Sequence, residues 1–278
     1  MPDRYLLLGE SVSNSPTPRM MNAAFEALGL DATYQASNVK AAELRSAFAK
    51  IGDAQTSGFN VTIPHKTSIA QYLSSLDEVS SRIGAVNTVR RERGSYRGYN
   101  TDVDGIVGPL KSSGLSRPKR AFVLGTGGAA RAFCEAMHEL GCSELVAFSR
   151  RPERAAGFLS SMKTAFPEIK IQVSSMESLP SDGPELLFNA SPAGANGIPL
   201  PKQMNRVLER RPTVFDAVYF PVKTGLITMA EKLRCPTIYG HEMLLSQAVK
   251  ALQVWTGRAP PVRVMKTSLL ESLEVPAD

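Results

Sequence analysis

The chain has 278 residues, 43% of them hydrophobic and 21% charged, which is typical of a soluble globular protein. This length favours two domains over a single hydrophobic core. The formal net charge of +6 comes from charges scattered along the chain, and only 7% of the residues are aromatic. Without a basic block interleaved with aromatic residues we expect no nucleic-acid partner, and small anionic ligands account for the basic excess.

The three cysteines, Cys134, Cys142 and Cys235, have neither the spacing of a metal site nor that of a disulfide framework. The three histidines lie far apart in the sequence, so we expect no bound metal. The first residues lack the pattern of a signal peptide, and no apolar run is long enough to span a bilayer. These features predict a cytoplasmic protein without a membrane partner, and they leave a monomer or a homodimer open.

The first third of the chain alternates short apolar runs with helical patterns. Ser15 and Thr17 lie in the polar loop between the first strand and the first helix, a position that often holds ligands in α/β folds. Helix capping is the alternative role for these hydroxyls. The predicted elements are strands at 5–8, 32–39 and 59–63, a helix that ends at Gly29, and a helix at 41–51.

Pro64 stops the third strand, and His65 and Lys66 then open a predicted helix. A cation at a helix start is disfavoured by the helix dipole, which makes Lys66 a candidate for chemistry, with a surface lysine as the alternative. Residues 84–89 and 96–99 are typical of a hairpin. A helix to about 114 follows, with Thr101 or Asp102 as a candidate N-cap, and 113–119 is typical of a linker.

The most informative stretch is RAFVLGTGGAAR at 120–131. It begins as an apolar strand, turns at Gly125, Gly127 and Gly128, and continues as a helix with one apolar face. A strand, a glycine-rich turn and a helix begin a dinucleotide-binding βαβ unit. Glycines let the backbone approach a pyrophosphate, and the helix N-terminus attracts it. Cys134 lies beside the apolar face of this helix and is typical of packing.

Strands near 121–125, 144–149, 169–173, 185–189 and 213–217 alternate with helices. This alternation predicts a doubly wound domain with a parallel sheet. The run Ser149-Arg150-Arg151 follows the second of these strands, where an NAD site usually has an acidic residue. Two guanidiniums suit a 2′-phosphate, so we expect NADP, with a solvated loop as the alternative.

Two further loops, after Asn189 and after Asp216, leave strand ends of this sheet, where ligands collect in α/β folds. The last long helix runs to Trp255, and Gln247 is the polar residue on its apolar face. A buried amide without partners is costly, so Gln247 either bonds neighbouring backbone or reaches a ligand.

Six segments, in the same order along the chain, resemble the motifs of shikimate dehydrogenases and of the related quinate/shikimate dehydrogenases. They are SPTP at 15–18, NVTIPHK at 60–66, GAVNT at 84–88, GYNTD at 98–102, GTGGA at 125–129 and GHEMLLSQ at 240–247. The first four resemble SxSP, NVTxPxK, GAxNT and GxNTD. The resemblance covers nearly the whole chain, and NVTxPxK with GxNTD at this spacing is specific.

The resemblance implies an α/β substrate-binding catalytic domain at 1–105 and 237–278, and a Rossmann-type NADP-binding domain at 106–236. The C-terminal helices would return to the first domain. It further implies reversible reduction of 3-dehydroshikimate to shikimate with NADP as cofactor, within aromatic amino acid (chorismate) biosynthesis. Lys66 and Asp102 would be the catalytic pair at the reacting hydroxyl, and which of them holds the proton stays open.

The resemblance also implies two sets of ligand-binding residues. The substrate set is Ser15, Thr17, Thr62, Lys66, Asn87, Asp102, Tyr219 and Gln247. The cofactor set is Gly125, Thr126, Gly127, Gly128, Ala129, Ser149, Arg150, Arg151, Asn189, Ser191, Ala217, Gly240 and Met243.

The chain departs from the family pattern at several positions. The family usually has His where this chain has Asn14, and Ser where it has Thr17. The resemblance implies that Ser15 and Thr17 bind the substrate carboxylate, and the added methyl group of Thr17 would narrow that part of the site. Other departures are Ser149-Arg150-Arg151 for Asn-Arg-Thr, Ser191-Pro192 for Thr-Ser, and Glu242 for Gly. They keep two alternatives open, a quinate/shikimate dehydrogenase that uses NAD or both cofactors, and a non-catalytic NADP-binding sensor.

Overall fold

The computed structural model describes residues 2–53, 56–180, 182–195 and 197–275. The chain divides into two compact units, one formed by Met1–Thr101 and Gln247–Asp278 and the other by Asp102–Ser246. Each unit contains one six-stranded sheet. The sequence predicts a substrate-binding domain at 1–105 with 237–278 and an NADP-binding domain at 106–236. These assignments of function stay a prediction.

The elements before the glycine-rich turn are mostly short. They are β1 (Asp3–Gly9), α1 (Thr17–Ala27), β2 (Ala32–Asn38), α2 (Leu44–Asp53), β3 (Gly58–Val61), β4 (Ser75–Leu76), α3 (Glu78–Ile83), β5 (Thr88–Glu92), β6 (Ser95–Tyr99) and α4 (Asp102–Ser112). Short 3₁₀ helices at Ala41–Glu43 and Ile69–Tyr72 precede α2 and β4.

From β7 onward strands and helices alternate. The elements are β7 (Arg120–Leu124), α5 (Gly128–Glu139), β8 (Glu144–Ser149), α6 (Ala156–Ala165), β9 (Lys170–Ser175), β10 (Leu186–Asn189), α7 (Met204–Leu208), β11 (Thr213–Asp216), α8 (Gly225–Lys232), β12 (Thr237–Ile238), α9 (Gly240–Thr256) and α10 (Val262–Ser272). Further 3₁₀ helices lie at Pro152–Ala155 and Met176–Ser178.

The sheet of the first unit is mixed, in the order β2-β1-β3-β5-β6-β4. Strand β1 is parallel to β2 on one side and to β3 on the other, so the strand order reverses at β1. Strand β5 is antiparallel to both β3 and β6. The carboxyl ends of β1, β3 and β6 and the amino end of β5 therefore lie along one edge, which we call the carboxyl edge of the first sheet. Ligands bind at such a switch point in open α/β sheets.

The sheet of the second unit has the order β9-β8-β7-β10-β11-β12, and every neighbouring pair is parallel. This is the doubly wound order in which β7 and β10 flank the switch point. The strands β7 and β10 are almost completely buried, which is expected of a sheet covered by helices on both faces. The predicted α/β class with a Rossmann-type parallel sheet is confirmed.

Within the first unit, the end of α9 is fixed to the sheet through Trp255. Its indole Nε1 donates a hydrogen bond to the Val89 carbonyl at 2.9 Å, and its ring centroid lies 4.7 Å from that of Tyr5. Gly58 allows this approach, since a Cβ there would lie 2.6 Å from Nε1 of Trp255. The anchored helix segment carries Gln247.

Two local predictions are wrong. No α-helix begins at His65 or Lys66, because the His65 N–H donates to the Thr62 carbonyl at 2.8 Å and closes a turn, and helical structure starts only with the 3₁₀ helix at Ile69–Tyr72. Residues 84–87 are not a strand, since Gly84 ends α3 in the left-handed conformation with φ of 63°. Lys66 therefore does not lie at a helix start, and a helix dipole does not disfavour its charge. Whether it is a catalytic candidate depends on the residues around it.

In the part of the chain that the structure describes, no helix is both long and apolar enough to cross a membrane. The same residues contain no cluster of three or more His, Cys, Asp or Glu side chains that could hold a metal ion. All three cysteines are free and buried, and Cys134 is fully buried in α5, as predicted for a packing residue.

Candidate active site

The loop after β1 brings Ser15 and Thr17 to the carboxyl edge of the first sheet. The Ser15 hydroxyl donates to Oγ1 of Thr17 at 3.1 Å, and the Thr17 N–H donates to Oγ of Ser15 at 3.3 Å. The N-cap residue of α1 is Pro16, so neither hydroxyl occupies that capping position. Thr17 is buried, and the start of α1 adds the partial positive charge of a helix N-terminus, which attracts an anion.

The turn after β3 holds the backbone of Lys66 in place. The Thr62 N–H donates to the Leu8 carbonyl at 2.8 Å, and the Lys66 carbonyl accepts from the Val86 N–H at 2.7 Å. These bonds join the turn to β1 on one side and to the segment before β5 on the other. The Lys66 residue is half-buried at this edge.

A buried polar network centred on Asn87 joins the segments at this edge. Asn87 Oδ1 accepts from the Thr101 N–H at 2.7 Å, and its Nδ2 donates to the Thr101 hydroxyl at 3.0 Å. The hydroxyl of Thr88 donates to Asn87 Oδ1 at 3.1 Å and lies 3.0 Å from that of Thr101. Asn60 Nδ2 donates to the Thr88 hydroxyl at 2.9 Å, and Asn60 Oδ1 accepts from the Tyr34 hydroxyl at 2.8 Å.

The network extends to the C-terminal part of the first unit through Gln247. Its Oε1 accepts from Asn87 Nδ2 at 3.3 Å, and the side chain is 9% exposed. The sequence offered neighbouring backbone or a ligand as its partners, and the structure adds a third, the side chain of Asn87. Buried amides of this kind stabilise one arrangement because an unmade bond costs about 1–3 kcal/mol.

Asp102 and Tyr219 belong to the second unit, whereas the other residues predicted to bind the substrate lie in the first. Asp102 follows Thr101 directly, opens α4, and is only 3% exposed. A carboxylate in the first turn of a helix is stabilised by the helix dipole. Tyr219 lies in the loop after β11 and is half-buried.

In the second unit, the glycine-rich turn lies at the switch point between β7 and β10. Gly125 has a φ of 107°, a conformation that favours glycine. Gly127 is the N-cap of α5, has no side-chain capping bond, and would have no atom within 4 Å of an added Cβ. The protein itself therefore does not require glycine at 127, and the open space fits the approach of a pyrophosphate to the free N–H groups of α5.

Ser149 ends β8, and Arg150 and Arg151 follow it beside this turn. The Arg151 N–H donates to Oγ of Ser149 at 3.2 Å. Both arginines are exposed, and among the described residues neither guanidinium forms an ion pair with the protein. The two cations are thus free to bind a phosphate from outside.

The loops after β10 and β11 are joined by a cluster that the sequence did not reveal. Asp216 Oδ1 accepts from Asn189 Nδ2 and from the Val218 N–H, each at 3.0 Å. Its Oδ2 accepts from the hydroxyl of Thr224, the N-cap of α8, at 2.6 Å. Asn189 Oδ1 accepts from the Ser191 hydroxyl at 2.8 Å. The sequence feature that could have indicated this cluster is a polar residue, Asn189 or Asp216, at the end of each of two apolar strands.

Burial raises the pKa of the Asp216 carboxyl to about 6, although hydrogen bonds from Thr224, Val218 and Asn189 oppose the shift. Asn189 is itself fully buried, so its amide shapes the loop that carries Ser191. Ala217, the next residue after Asp216, is half-buried in the neighbouring loop.

The start of α9 approaches the loop after β11 very closely. A Cβ on Gly240 would lie 2.3 Å from the Val218 carbonyl oxygen, so only glycine fits there. Glu242 accepts from the Tyr239 N–H at 2.9 Å, which is the reach-back bond of a helix N-terminus and explains why Glu is compatible with this position. Met243 is buried in the same turn.

The carboxyl edge of the first sheet and the switch point of the second sheet, together with the fold, define the class of protein. It is a Rossmann-type α/β protein with a dinucleotide-type turn and a further unit built on a mixed sheet. Two family models match the chain, the shikimate dehydrogenase substrate binding domain at residues 7–89 and the shikimate 5'-dehydrogenase C-terminal domain at residues 240–270.

Known proteins agree with this match. A shikimate dehydrogenase (NADP(+)) from Moorella thermoacetica is 39% identical over 96% of this chain and 92% of its own. A solved shikimate dehydrogenase in complex with NADP+ superposes with a TM-score of 0.87 at 32% identity, covering 98% of this chain and 96% of the other. A quinate dehydrogenase from Corynebacterium glutamicum in complex with NAD has a TM-score of 0.86 at 25% identity, covering 97% and 99%. The chain belongs to the shikimate dehydrogenase family.

We predict that Asp216 makes the stability of the protein depend on pH. The pKa in the folded state, about 6, lies above the ordinary value of 3.8, so folding favours the protonated carboxyl. The contribution to stability is present at low pH and is lost as the pH rises through 6. The wild type should gain about 1.4 kcal/mol relative to Asp216→Asn between about pH 7.5 and pH 5.

Urea unfolding at both pH values measures this difference. The Asn variant is a suitable control because its Oδ1 can keep the bonds from Asn189 and Val218 while its Nδ2 donates to Thr224. Parallel pH profiles for the two proteins would show that Asp216 does not titrate in this range.

Proposed function

We propose that the protein catalyses the reversible NADP-dependent reduction of 3-dehydroshikimate to shikimate, a step of aromatic amino acid biosynthesis. The observation that carries this conclusion is the gathering of Ser15, Thr17, Lys66 and Asn87 at the carboxyl edge of the first sheet. The second unit supplies a dinucleotide turn with two free arginines after β8. Relatives at 34–39% identity that carry the name shikimate dehydrogenase (NADP(+)) support the same activity.

Each substrate residue has a role that its chemistry suits. Ser15 and Thr17, with the start of α1, bind the substrate carboxylate. Asn87 and Gln247 bind ring hydroxyls through their amide groups, which can both donate and accept hydrogen bonds. Thr62 and Tyr219 complete the substrate contacts.

Lys66 and Asp102 handle the proton. In the reducing direction a proton must reach the carbonyl oxygen as hydride reaches the carbon, and in the oxidising direction a base must take it back. NADP supplies the hydride chemistry when it is bound. An amine and a carboxyl group can each donate or accept a proton at the substrate oxygen, so we assign the proton to Lys66 and Asp102 as a pair and leave open which of them holds it.

The cofactor residues follow the strand ends of the second sheet. The pyrophosphate binds at the turn that contains Gly125, Thr126, Gly127, Gly128 and Ala129, and the 2′-phosphate at Ser149, Arg150 and Arg151. Asn189, Ser191, Ala217, Gly240 and Met243 form the remainder of the cofactor site. Residues 106–236 would then be the NADP-binding domain, and 1–105 with 237–278 the substrate-binding domain.

Thr17 favours a second candidate, a quinate/shikimate dehydrogenase that also accepts NAD. Thr17 is buried and its hydroxyl accepts a hydrogen bond from that of Ser15, so the methyl group that serine lacks adds bulk where the carboxylate would bind. The likeness to the quinate dehydrogenase supports the same alternative.

The proposal also covers the compartment and the oligomeric state of the protein. Three free, buried thiols suit the reducing conditions of the cytoplasm, where we place the enzyme. We propose that it works there as a monomer or a homodimer.

Initial rates with four substrate pairs test the proposed function: shikimate or quinate, each with NADP⁺ or NAD⁺. We expect the highest kcat/KM with shikimate and NADP⁺, because Arg150 and Arg151 offer their charge to the 2′-phosphate. Higher kcat/KM with quinate and NAD⁺ would establish the second candidate instead. No turnover with any pair would contradict both and leave a binding protein.

Gly127→Ala tests the cofactor site separately from the fold. An added methyl has no protein atom within 4 Å apart from its chain neighbours, and the φ of −87° is open to alanine, so the main cost is that alanine is a poorer N-cap than glycine and the free energy of unfolding should fall by no more than about 1 kcal/mol. The same methyl would occupy the path of the pyrophosphate, so the KM for NADP⁺ should rise about tenfold or more. An unchanged KM for NADP⁺ would remove the turn from the cofactor site.

Lys66→Met tests the proton step. We expect kcat to fall by a factor of about 10²–10⁴, the usual contribution of general acid–base catalysis, while the KM for NADP⁺ stays within about twofold. Asp102→Asn serves as the partner variant and should lower kcat as well. Full activity of the Met variant would exclude Lys66 from the reaction.

A further inference from the structure

The end of β2 has two side-chain contacts that the proposed function does not use. Asn38 is the last residue of the strand, and Val39 follows it. The backbone here is fixed to β1, since the Val39 N–H donates to the Gly9 carbonyl at 2.8 Å. Both residues lie next to the carboxyl edge of the first sheet.

Asn38 holds the loop that leads to Ser15 and Thr17. Its Oδ1 accepts from the Val12 N–H at 2.9 Å, and its Nδ2 donates to the Ser13 hydroxyl at 2.7 Å. The bond to Val12 is partly buried, and the bond to Ser13 is exposed. The Val12 carbonyl in turn accepts from the Ser15 N–H at 3.0 Å. By fixing Val12, Asn38 therefore also restrains the backbone of Ser15.

His65 holds the turn that carries Lys66. Its Nε2 lies 2.7 Å from the Val39 carbonyl, and because a carbonyl only accepts, the proton must be on Nε2. The imidazole is fully buried, and Nδ1 has no hydrogen-bond partner among the described residues. The bond to Val39 is therefore the one polar side-chain contact that a substitution of His65 would remove within that part of the chain.

We propose that Asn38 and His65 are positioning residues, which hold the Ser15–Thr17 loop and the Lys66 turn to the same two residues at the end of β2. This inference rests on the proposed function, in which the loop binds the substrate carboxylate and the turn presents the catalytic lysine. A third bond, from the Glu10 N–H to the Ile63 carbonyl at 3.1 Å, joins the loop and the turn directly. Asn38 bonds the loop and the His65 side chain bonds Val39, so loss of either side chain removes the bonds of one segment to β2 and leaves those of the other in place.

The two residues should have different kinetic effects. Asn38→Ala frees the Val12 N–H, so the KM for shikimate should rise about three- to tenfold while kcat and the KM for NADP⁺ change by less than about twofold. Hydrogen exchange at the Val12 amide should accelerate in the same variant. Ser13→Ala is the matched control, because it removes only the exposed partner and should leave the KM for shikimate within about twofold of the wild-type value.

His65→Leu leaves the Val39 carbonyl without its buried donor. Here we expect kcat to fall about three- to tenfold, with the KM for NADP⁺ unchanged. His65→Gln places an amide N–H near the same position and should recover most of the lost kcat. This rescue distinguishes a positioning role from a packing role. If packing alone mattered, the apolar Leu would fill the space of the imidazole better than Gln.

Opposite results would overturn the inference. It fails if the Val12 amide exchanges at the wild-type rate in Asn38→Ala, or if the Gln variant at position 65 is as impaired as the Leu variant. A general effect, in which the KM for shikimate and the KM for NADP⁺ rise together, would contradict it too. Absence of shikimate turnover in the wild type would instead refute the proposed function, while exchange at Val12 would still report whether Asn38 holds the loop.

Discussion

The hydrogen bonds between Asn87 and Thr101 are the constraint on which the first unit depends. They lie in a buried network, where each unmade bond would cost about 1–3 kcal/mol, so the network is stable only when all its members are in place. Through Thr88 and Asn60 the same network ties β5, β3 and β2 together, and through Gln247 it holds α9. These side chains at the carboxyl edge of the first sheet are therefore positioned by polar bonds inside the protein.

Both units use the same feature of open α/β sheets. In each sheet the strand order reverses beside one strand, β1 in the first and β7 in the second, and the loops that leave that point diverge. In the first unit these loops carry hydroxyls and a lysine, which suit a small hydroxylated carboxylate. In the second they carry glycines and arginines, which suit a dinucleotide phosphate. Each edge alone occurs in many α/β proteins, and the family membership rests on the relatives that are 34–39% identical over most of the chain.

Sequence patterns predicted the local features well. The parallel sheet, the glycine-rich turn and the burial of Cys134 follow from runs of neighbouring residues, which the pattern of apolar positions exposes. Features that depend on contacts across long sequence distances could not be predicted. Gln247 bonds Asn87, 160 positions away, and the hydrogen bond from Asn189 to Asp216 crosses 27 positions. The helix expected at Lys66 failed for a local reason, because a backbone turn to Thr62 is more favourable there than a helix start.

Thr88→Val tests most directly whether the buried network shapes the proposed substrate site at the carboxyl edge of the first sheet. Thr88 is fully buried, so it has no surface to offer a substrate, and valine keeps its shape while it removes the hydroxyl that joins Asn60, Asn87 and Thr101. Titration calorimetry of the folded variant should show shikimate binding weakened about tenfold or more, with NADP⁺ binding unchanged. Shikimate affinity equal to that of the wild type would show that the network stabilises the fold without shaping the site.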